Sequence, residues 1–249
     1  MKHPLSALAA SFGITVDLLD EAASTNDVAS DGRYTDGDIV IALSQTAGRG
    51  QRGNSWLSEK GKNLTFSIVL EPEQLEAEKQ FQLSKAVTLA LAATLDRYGL
   101  EARVKWPNDI YISSRKIAGI LIENNISGAW IARSVVGIGL NVNQVAFDPA
   151  LPNPTSVIAE TGCQEDIFKI LEEFYRLFMP LYRNLPYAGE EIDRLYLENL
   201  YLINEPHDFL MEGQKVKGII RGIGPYGELL VEHDGKIVPY LFKEIEYLL

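Results

Sequence analysis

Two patterns of apolar and polar residues divide this chain. Up to about residue 202, short apolar runs alternate with long stretches of helical period; from 203 onward only short runs and turn residues remain. Residues 14–19 read as a strand, and the capping residues Ser24-Thr25-Asn26-Asp27 open a short helix. Residues 38–44 and 64–70 are near-continuous apolar strands. The longest helical pattern covers 74–98, with Leu75, Phe81, Leu83, Val87, Leu91, Leu95 and Tyr98 on its core face and Gly99 as its stop. Strands follow at 103–106, 110–112, 117–123 and 130–143, with a polar turn at Ser113-Ser114. Pro149, Pro152 and Pro154 mark a loop, Thr155-Ser156 caps a short helix, and amphipathic helices span 164–184 and 188–201. Beyond them, 216–221, 229–232 and 237–240 are short strands, and Asp234-Gly235 signals a hairpin. The pattern predicts an α+β (mixed α/β) main domain over residues 1–202 and a small β-barrel over 203–249.

Composition narrows the setting. Of 249 residues, 46% are hydrophobic and 23% charged, an ordinary balance for a soluble globular protein. No run approaches the ~18 apolar residues of a membrane span, and the N-terminus lacks the apolar core of a signal peptide. A lone cysteine, Cys163, excludes an internal disulfide framework and agrees with a reducing cytoplasm. The net charge of −11 argues against broad attraction to nucleic acid. Two islands run against that sum. Arg49, Arg52, Lys60 and Lys62 stand near Glu59, and Arg103, Lys105, Arg115 and Lys116 near Asp109, each island a local +3. Basic islands in an acidic chain point to a focused site for a small anion.

Three motifs carry the chemistry. Gln45 through Trp56 interleaves three glycines with two arginines after an apolar strand, so backbone can approach an anionic ligand closely. It lacks the Gly-Lys-Ser/Thr ending of a Walker loop and the spacing of the dinucleotide fingerprint. Lys105-Trp106-Pro107-Asn108-Asp109 offers an aromatic held extended before proline, and oxygen ligands suited to Mg²⁺ or a nucleotide; Lys116 follows at a strand start. In Gly137-Ile138-Gly139-Leu140-Asn141, two glycines at alternate positions leave one strand face bare for a flat ligand, unless they mark a bulge. Nucleophilic machinery is missing. His3, His207 and His233 are far from the glycine loop in sequence, and Cys163 stands at an apparent helix start with no histidine nearby. No Cys/His cluster has zinc spacing. Such a protein works by positioning and electrostatic stabilisation.

Together with Ser24-Thr25-Asn26, the ordered motifs closely resemble those of the biotin–protein ligase family, over residues 24–143 and extending to the β-rich tail. The resemblance implies a synthetase-like catalytic domain, its central mixed sheet flanked by helices, and an SH3-like C-terminal domain. It implies ATP-dependent activation of biotin to biotinoyl-5′-adenylate, then transfer to a lysine of a biotin carboxyl carrier domain. By motif position, Ser24, Thr25, Asn26, Gln45, Arg49, Gly50, Gln51, Lys116, Gly119 and Gly137 would line the biotin pocket. Arg49, Arg52, Trp56, Lys105, Asn108, Lys116 and Asn141 would surround the ATP or adenylate. Lys116, Arg49 and Asp109 would be catalytic, with Asp109 also helping to hold Mg²⁺. A carboxylate attacking a phosphate brings two anions together, so cations must offset their repulsion.

Two departures stand out. The family loop often reads Gly-Arg-Gly-Arg with another Arg near its end, where this chain has Gln51 and Asn54. Members that repress transcription carry an N-terminal helix-turn-helix domain; about 13 residues precede the first strand here, so DNA binding is not expected. A lipoate-type acyl ligase or transferase shares the catalytic fold and is the rival enzyme; a non-catalytic sensor of biotin or its adenylate is the rival of another class. No membrane partner is expected, and exposed strands could pair into a homodimer.

Overall fold

The structure, a computed structural model, describes residues 4–248 and their side chains apart from those of Pro4 and Arg52. Seven strands form the main sheet: β1 (Val16–Leu19), β2 (Ile39–Ala42), β3 (Leu64–Leu70), β4 (Ala102–Lys105), β5 (Asp109–Ile112), β6 (Arg115–Ser127) and β7 (Trp130–Leu140). Their order is β1-β2-β3-β7-β6-β5-β4, with β1 and β2 parallel and every other pair antiparallel. Every residue of β2 and β3 is buried, as near-continuous apolar runs require when both sheet faces are covered. Alternation along these strands divides the two faces. Ile39, Ile41, Phe66, Ile68, Val136 and Ile138 join the large core, whereas Val40, Val69 and Val135 form a smaller cluster on the opposite side.

The large core lies under α3 (Phe81–Asp96) and α5 (Ile167–Arg183). The helical pattern expected over 74–98 begins later than its apolar spacing implies. Ala77 N–H donates to Ala129 O at 2.8 Å, and Glu76 bridges to Trp130, so the entry is extended and closes in one 3₁₀ turn. Leu75 is still buried, and Gly99 closes the segment at φ 75°. An unforeseen helix, α1 (Pro4–Phe12), packs Leu5 and Leu8 into the same core, with Phe12 edge-on to Tyr175. Ser156 caps α4 (Val157–Thr161) through the Ala159 N–H. Cys163 does not start a helix: it is exposed in the link after Gly162, and Asp166 caps α5 through Phe168 N–H.

The tail forms a second, antiparallel sheet of β8 (Pro206–Met211), β9 (Gln214–Ile223), β10 (Leu229–His233), β11 (Lys236–Tyr240) and β12 (Ile245–Tyr247), ordered β11-β10-β9-β8-β12. The Asp234-Gly235 hairpin has positive φ at both residues, as a type I′ turn demands. Strands β8 and β12 escaped the sequence reading because one opens on proline and the other has three residues. The tail does not stand apart. Trp106 Nε1–H donates to Gly227 O at 2.8 Å, its ring meets Phe242 edge-on, and Tyr247 lies against Lys105. Trp106 is therefore buried towards the second sheet, with a cis bond to Pro107, rather than extended with its face presented. Helix α6 (Gly189–Glu198) is fastened to α3 by Lys85 Nζ, buried 2.6 Å from Asp193.

Candidate active site

A cleft with about 130 Å³ of free space opens on the sheet face opposite the large core, where Thr65, Ser67, Gly137 and Gly139 point. Its lining includes Ser24, Thr25, Asn26, Gln45, Arg49, Gly50, Gln51, Trp56, Lys105, Asn108, Asp109, Lys116, Gly119 and Gly137. Two positions expected there stand otherwise. Asn141 lies outside the lining: it is buried, its Nδ2 donates to Thr155 O at 2.9 Å, and its Oδ1 has no partner. The Arg52 side chain, like His3, lies outside the described residues.

The pocket wall is built by α2 (Thr25–Ala29). Ser24 takes the extended backbone of a cap but makes no capping bond; Gln45 does so instead, its Oε1 accepting from Thr25 N–H at 2.7 Å. Ser67 Oγ lies 2.7 Å from Thr25 Oγ1 and donates to Asn26 Oδ1 at 2.6 Å. Asn26 Nδ2 donates to Glu123 Oε2 at 2.7 Å. Nothing in the sequence spacing marked Ser67 or Glu123. Ser67 was one polar residue in an apolar strand, and its burial is the signal that could have exposed it.

The glycine-rich loop folds back as a small hairpin, with Trp56 N–H donating to Gly48 O and Gly50 N–H to Asn54 O. Arg49 grips Glu123 with both terminal nitrogens, at 2.8 and 3.0 Å, and Asp27 at 2.6 Å. The Glu123 carboxylate, above all, raises the Arg49 pKa further, so the guanidinium stays charged. The expected bare face of β7 exists, and the register there is regular rather than bulged. The flat group lying on it is the chain's own. A Cβ on Gly139 would stand 2.2 Å from the Trp56 indole, and one on Gly137 would stand 2.3 Å from Asn26 Oδ1. Trp56 Nε1 is buried there without a partner.

At the other end, Lys116 Nζ pairs with Asp109 at 2.7 Å and lies 5.8 Å from the Trp56 ring centre. Lys105 Nζ sits between the rings of Tyr111 and Tyr247, at 5.0 and 4.7 Å. Burial lowers the Lys105 pKa, Asp109 opposes that shift, and Lys116 adds to it. Asn108 spends its Nδ2 on Ile120 O, fixing the turn to β6. The basic islands are not wholly aimed at the cleft. Lys60 pairs with Asp20 and Arg115 with Glu160, leaving Arg49, Lys105 and Lys116 beside one lining carboxylate, Asp109. Among the described residues, no group of three or more His, Cys, Asp or Glu is placed to hold a metal ion, and no helix is long and apolar enough to cross a membrane.

A cleft with a polar pocket at one end, cations at the other and neither histidine nor cysteine in its lining fits an enzyme that joins two anionic substrates. Comparison with known proteins agrees: the chain belongs to the biotin/lipoate A/B protein ligase family, whose pattern it matches over residues 21–141. It is 34% identical to the bifunctional ligase/repressor BirA of Escherichia coli over 245 residues, 94% of this chain and 74% of that one. It is 34% identical to the biotin–[acetyl-CoA-carboxylase] ligase of Paracoccus denitrificans over 204 residues, 77% of this chain and 82% of that one. Its fold is similar to that of the Aquifex aeolicus biotin protein ligase in complex with biotin and ATP, with a TM-score of 0.80 and 26% identity across 93% of this chain and 97% of that one.

Proposed function

We propose that this chain is a biotin–[acetyl-CoA-carboxylase] ligase, activating biotin with ATP and passing it to a lysine of a biotin carboxyl carrier domain. The observation that carries this reading is the meeting of Arg49 and Lys116 in one cleft with the polar residues of α2. Ser24, Thr25, Asn26 and Gln45 suit the ureido ring, a polar group on an apolar frame. The biotin carboxylate attacks the α-phosphorus of ATP, an acyl–phosphate bond forms, and pyrophosphate leaves. Lys116 exchanges Asp109 for the meeting oxygens and offsets their repulsion. The acceptor lysine must then be neutral to attack the acyl carbon and expel AMP, and Asp109, released from Lys116, is placed to take its proton. Asp109 as the lone lining carboxylate fits a Mg²⁺ carried mainly by nucleotide phosphates. When bound, that ion supplies further screening of the phosphate charge. Lys105 and Trp56 belong to the nucleotide end.

The free space is well below the roughly 300–1,000 Å³ of ordinary ligand pockets, so substrates enter only as the Trp56 loop moves. The same reading treats residues 1–202 as the catalytic unit and 203–249 as an SH3-like unit buttressing Lys105 and Trp106. Mass spectrometry of a carrier domain incubated with this protein, biotin and MgATP tests the proposal. A single added biotinoyl group on one lysine supports it; an unmodified carrier, or lipoate preferred over biotin in competition, refutes it. Lys116→Gln should abolish ATP–pyrophosphate exchange, and exchange at the wild-type rate would remove Lys116 from the mechanism.

A further inference from the structure

Glu123 has no part in the chemistry above, yet it touches both halves of the biotin pocket. It stands on β6, where Oε2 accepts from Asn26 Nδ2 at 2.7 Å and from Arg49 Nη2 at 3.0 Å, while Oε1 accepts from Arg49 Nη1 at 2.8 Å. Asn26 is buried on the pocket wall and pressed onto the bare backbone of Gly137. Arg49 belongs to the glycine-rich segment and is held by two carboxylates, Glu123 and Asp27. One side chain therefore sets an amide inside the pocket and fastens the loop that covers it.

We infer that Glu123 is the positioning residue that couples the biotin pocket to the glycine-rich loop. The inference rests on the biotin-ligase reading and deepens it. Its first task is orientation. A carboxamide can flip end for end, and the flip is barred because Ser67 Oγ donates to Asn26 Oδ1 while Glu123 accepts from Nδ2. Without Glu123, Nδ2 keeps only a 3.4 Å contact with Leu121 O, a poor bond for a buried donor. Its second task is closure. The two-pronged Arg49–Glu123 contact is the geometry in which guanidinium and carboxylate bind best. Asp27, on α2 beside Asn26, extends the same clasp. Arg49 thus acts first as a latch on the pocket, and its charge reaches the phosphates already shared with two carboxylates.

Biotin binding by calorimetry and steady-state kinetics of wild type, Glu123→Ala, Glu123→Gln, Arg49→Ala and the double Ala variant test this. Glu123→Ala should weaken biotin binding and raise biotin KM by about tenfold, the range for losing a charge-assisted bond to a buried amide. ATP KM should change by no more than about twofold, a split that general misfolding would not produce. Glu123→Gln should recover part of the affinity, because its amide oxygen still accepts from Asn26. The Ala substitutions at 49 and 123 should combine to less than the product of their separate effects on biotin dissociation. Glu123→Ala and Glu123→Gln binding biotin as wild type does, or effects of 49 and 123 that simply multiply, would overturn the coupling. If Glu123→Ala fails to fold, Glu123→Gln decides alone. Wild type that binds no biotin would sink the ligase reading; wild type that binds, with unaffected variants, sinks only this inference.

Discussion

Gly139→Ala offers the sharpest probe of how the empty site is kept. A Cβ at that position would stand 2.2 Å from the Trp56 indole, so the ring must retreat by at least about 1.2 Å to reach ordinary contact. The strand cannot give way instead, because Gly139 is paired on both sides, to Thr65 and to Gly119. The indole is not firmly held. Mostly buried, it removes roughly 150 Å² of apolar surface from water, which contributes about 4 kcal/mol. Its buried, unpartnered Nε1 costs about 1–3 kcal/mol in return. The second term offsets much of the first, so displacing Trp56 should cost less than about 3 kcal/mol of stability while changing its surroundings completely. Tryptophan emission should shift to the red in Gly139→Ala, and the shift should vanish when Trp56→Phe is added. Adding biotin and ATP to wild type should move the emission in the same direction. Unchanged emission in Gly139→Ala, or a loss above about 3 kcal/mol in denaturant unfolding, would refute the reasoning, since either means the backbone yielded and not the ring.

Asp193→Ala should destabilise the fold by about 3 kcal/mol in urea unfolding, because it strands the buried Lys85 ammonium, whereas Lys85→Met should be nearly neutral. Trp106→Phe should cost about 1–2 kcal/mol by orphaning Gly227 O, with calorimetry showing the second sheet loosened from the first. The burial that lowers the Lys105 pKa means the unfolded chain binds more protons there, so this residue's contribution rises with pH towards the ordinary lysine value; Lys105→Met should flatten that slope in pH-dependent unfolding. Burial raises the pKa of Tyr111, Tyr175, Tyr182, Tyr196 and Tyr247, so the unfolded chain loses those protons first and stability should fall as pH climbs past the ordinary tyrosine value of 10.0. The absorbance of these five tyrosinates should then appear together with unfolding rather than before it.

Much of this molecule was legible because its signals are local. Apolar runs gave β2 and β3, turn residues gave the Asp234-Gly235 hairpin, and the resemblance to the biotin–protein ligase motifs named residues from separate segments that line one cleft. What escaped depends on contacts between distant positions. The start of α3 was misplaced because Glu76 and Ala77 pair with the strand near Trp130. Gln45, not Ser24, closes the start of α2 from 20 residues away, and no capping rule reaches that far. Asn141 was expected at the adenylate from the family resemblance; in the structure its amide donates to Thr155 O, a contact that no local pattern announces. Glu123 looked like the polar end of a strand, and only the folded sheet brings it to Asn26 and Arg49.

The resting state of the site follows from the same contacts. An acidic chain that must bind triphosphate could leave its cations bare, but bare cations in a half-buried cleft repel one another and lose hydration. Here each has a partner: Arg49 has Glu123 and Asp27, Lys116 has Asp109, and Lys105 has two aromatic faces. Binding phosphate is therefore an exchange of partners rather than a capture by free charge. Exchange gains less energy than capture, and that difference discriminates. Under the proposed function, a lone phosphate or sulfate would offer too little to separate Lys116 from Asp109, whereas a nucleotide whose base also displaced Trp56 would supply both contacts together. Under the proposed function, Asp109 released in this way would become a free carboxylate at the moment the acceptor lysine needs one. The ion pair that quiets the empty cleft would thus also time the appearance of its base.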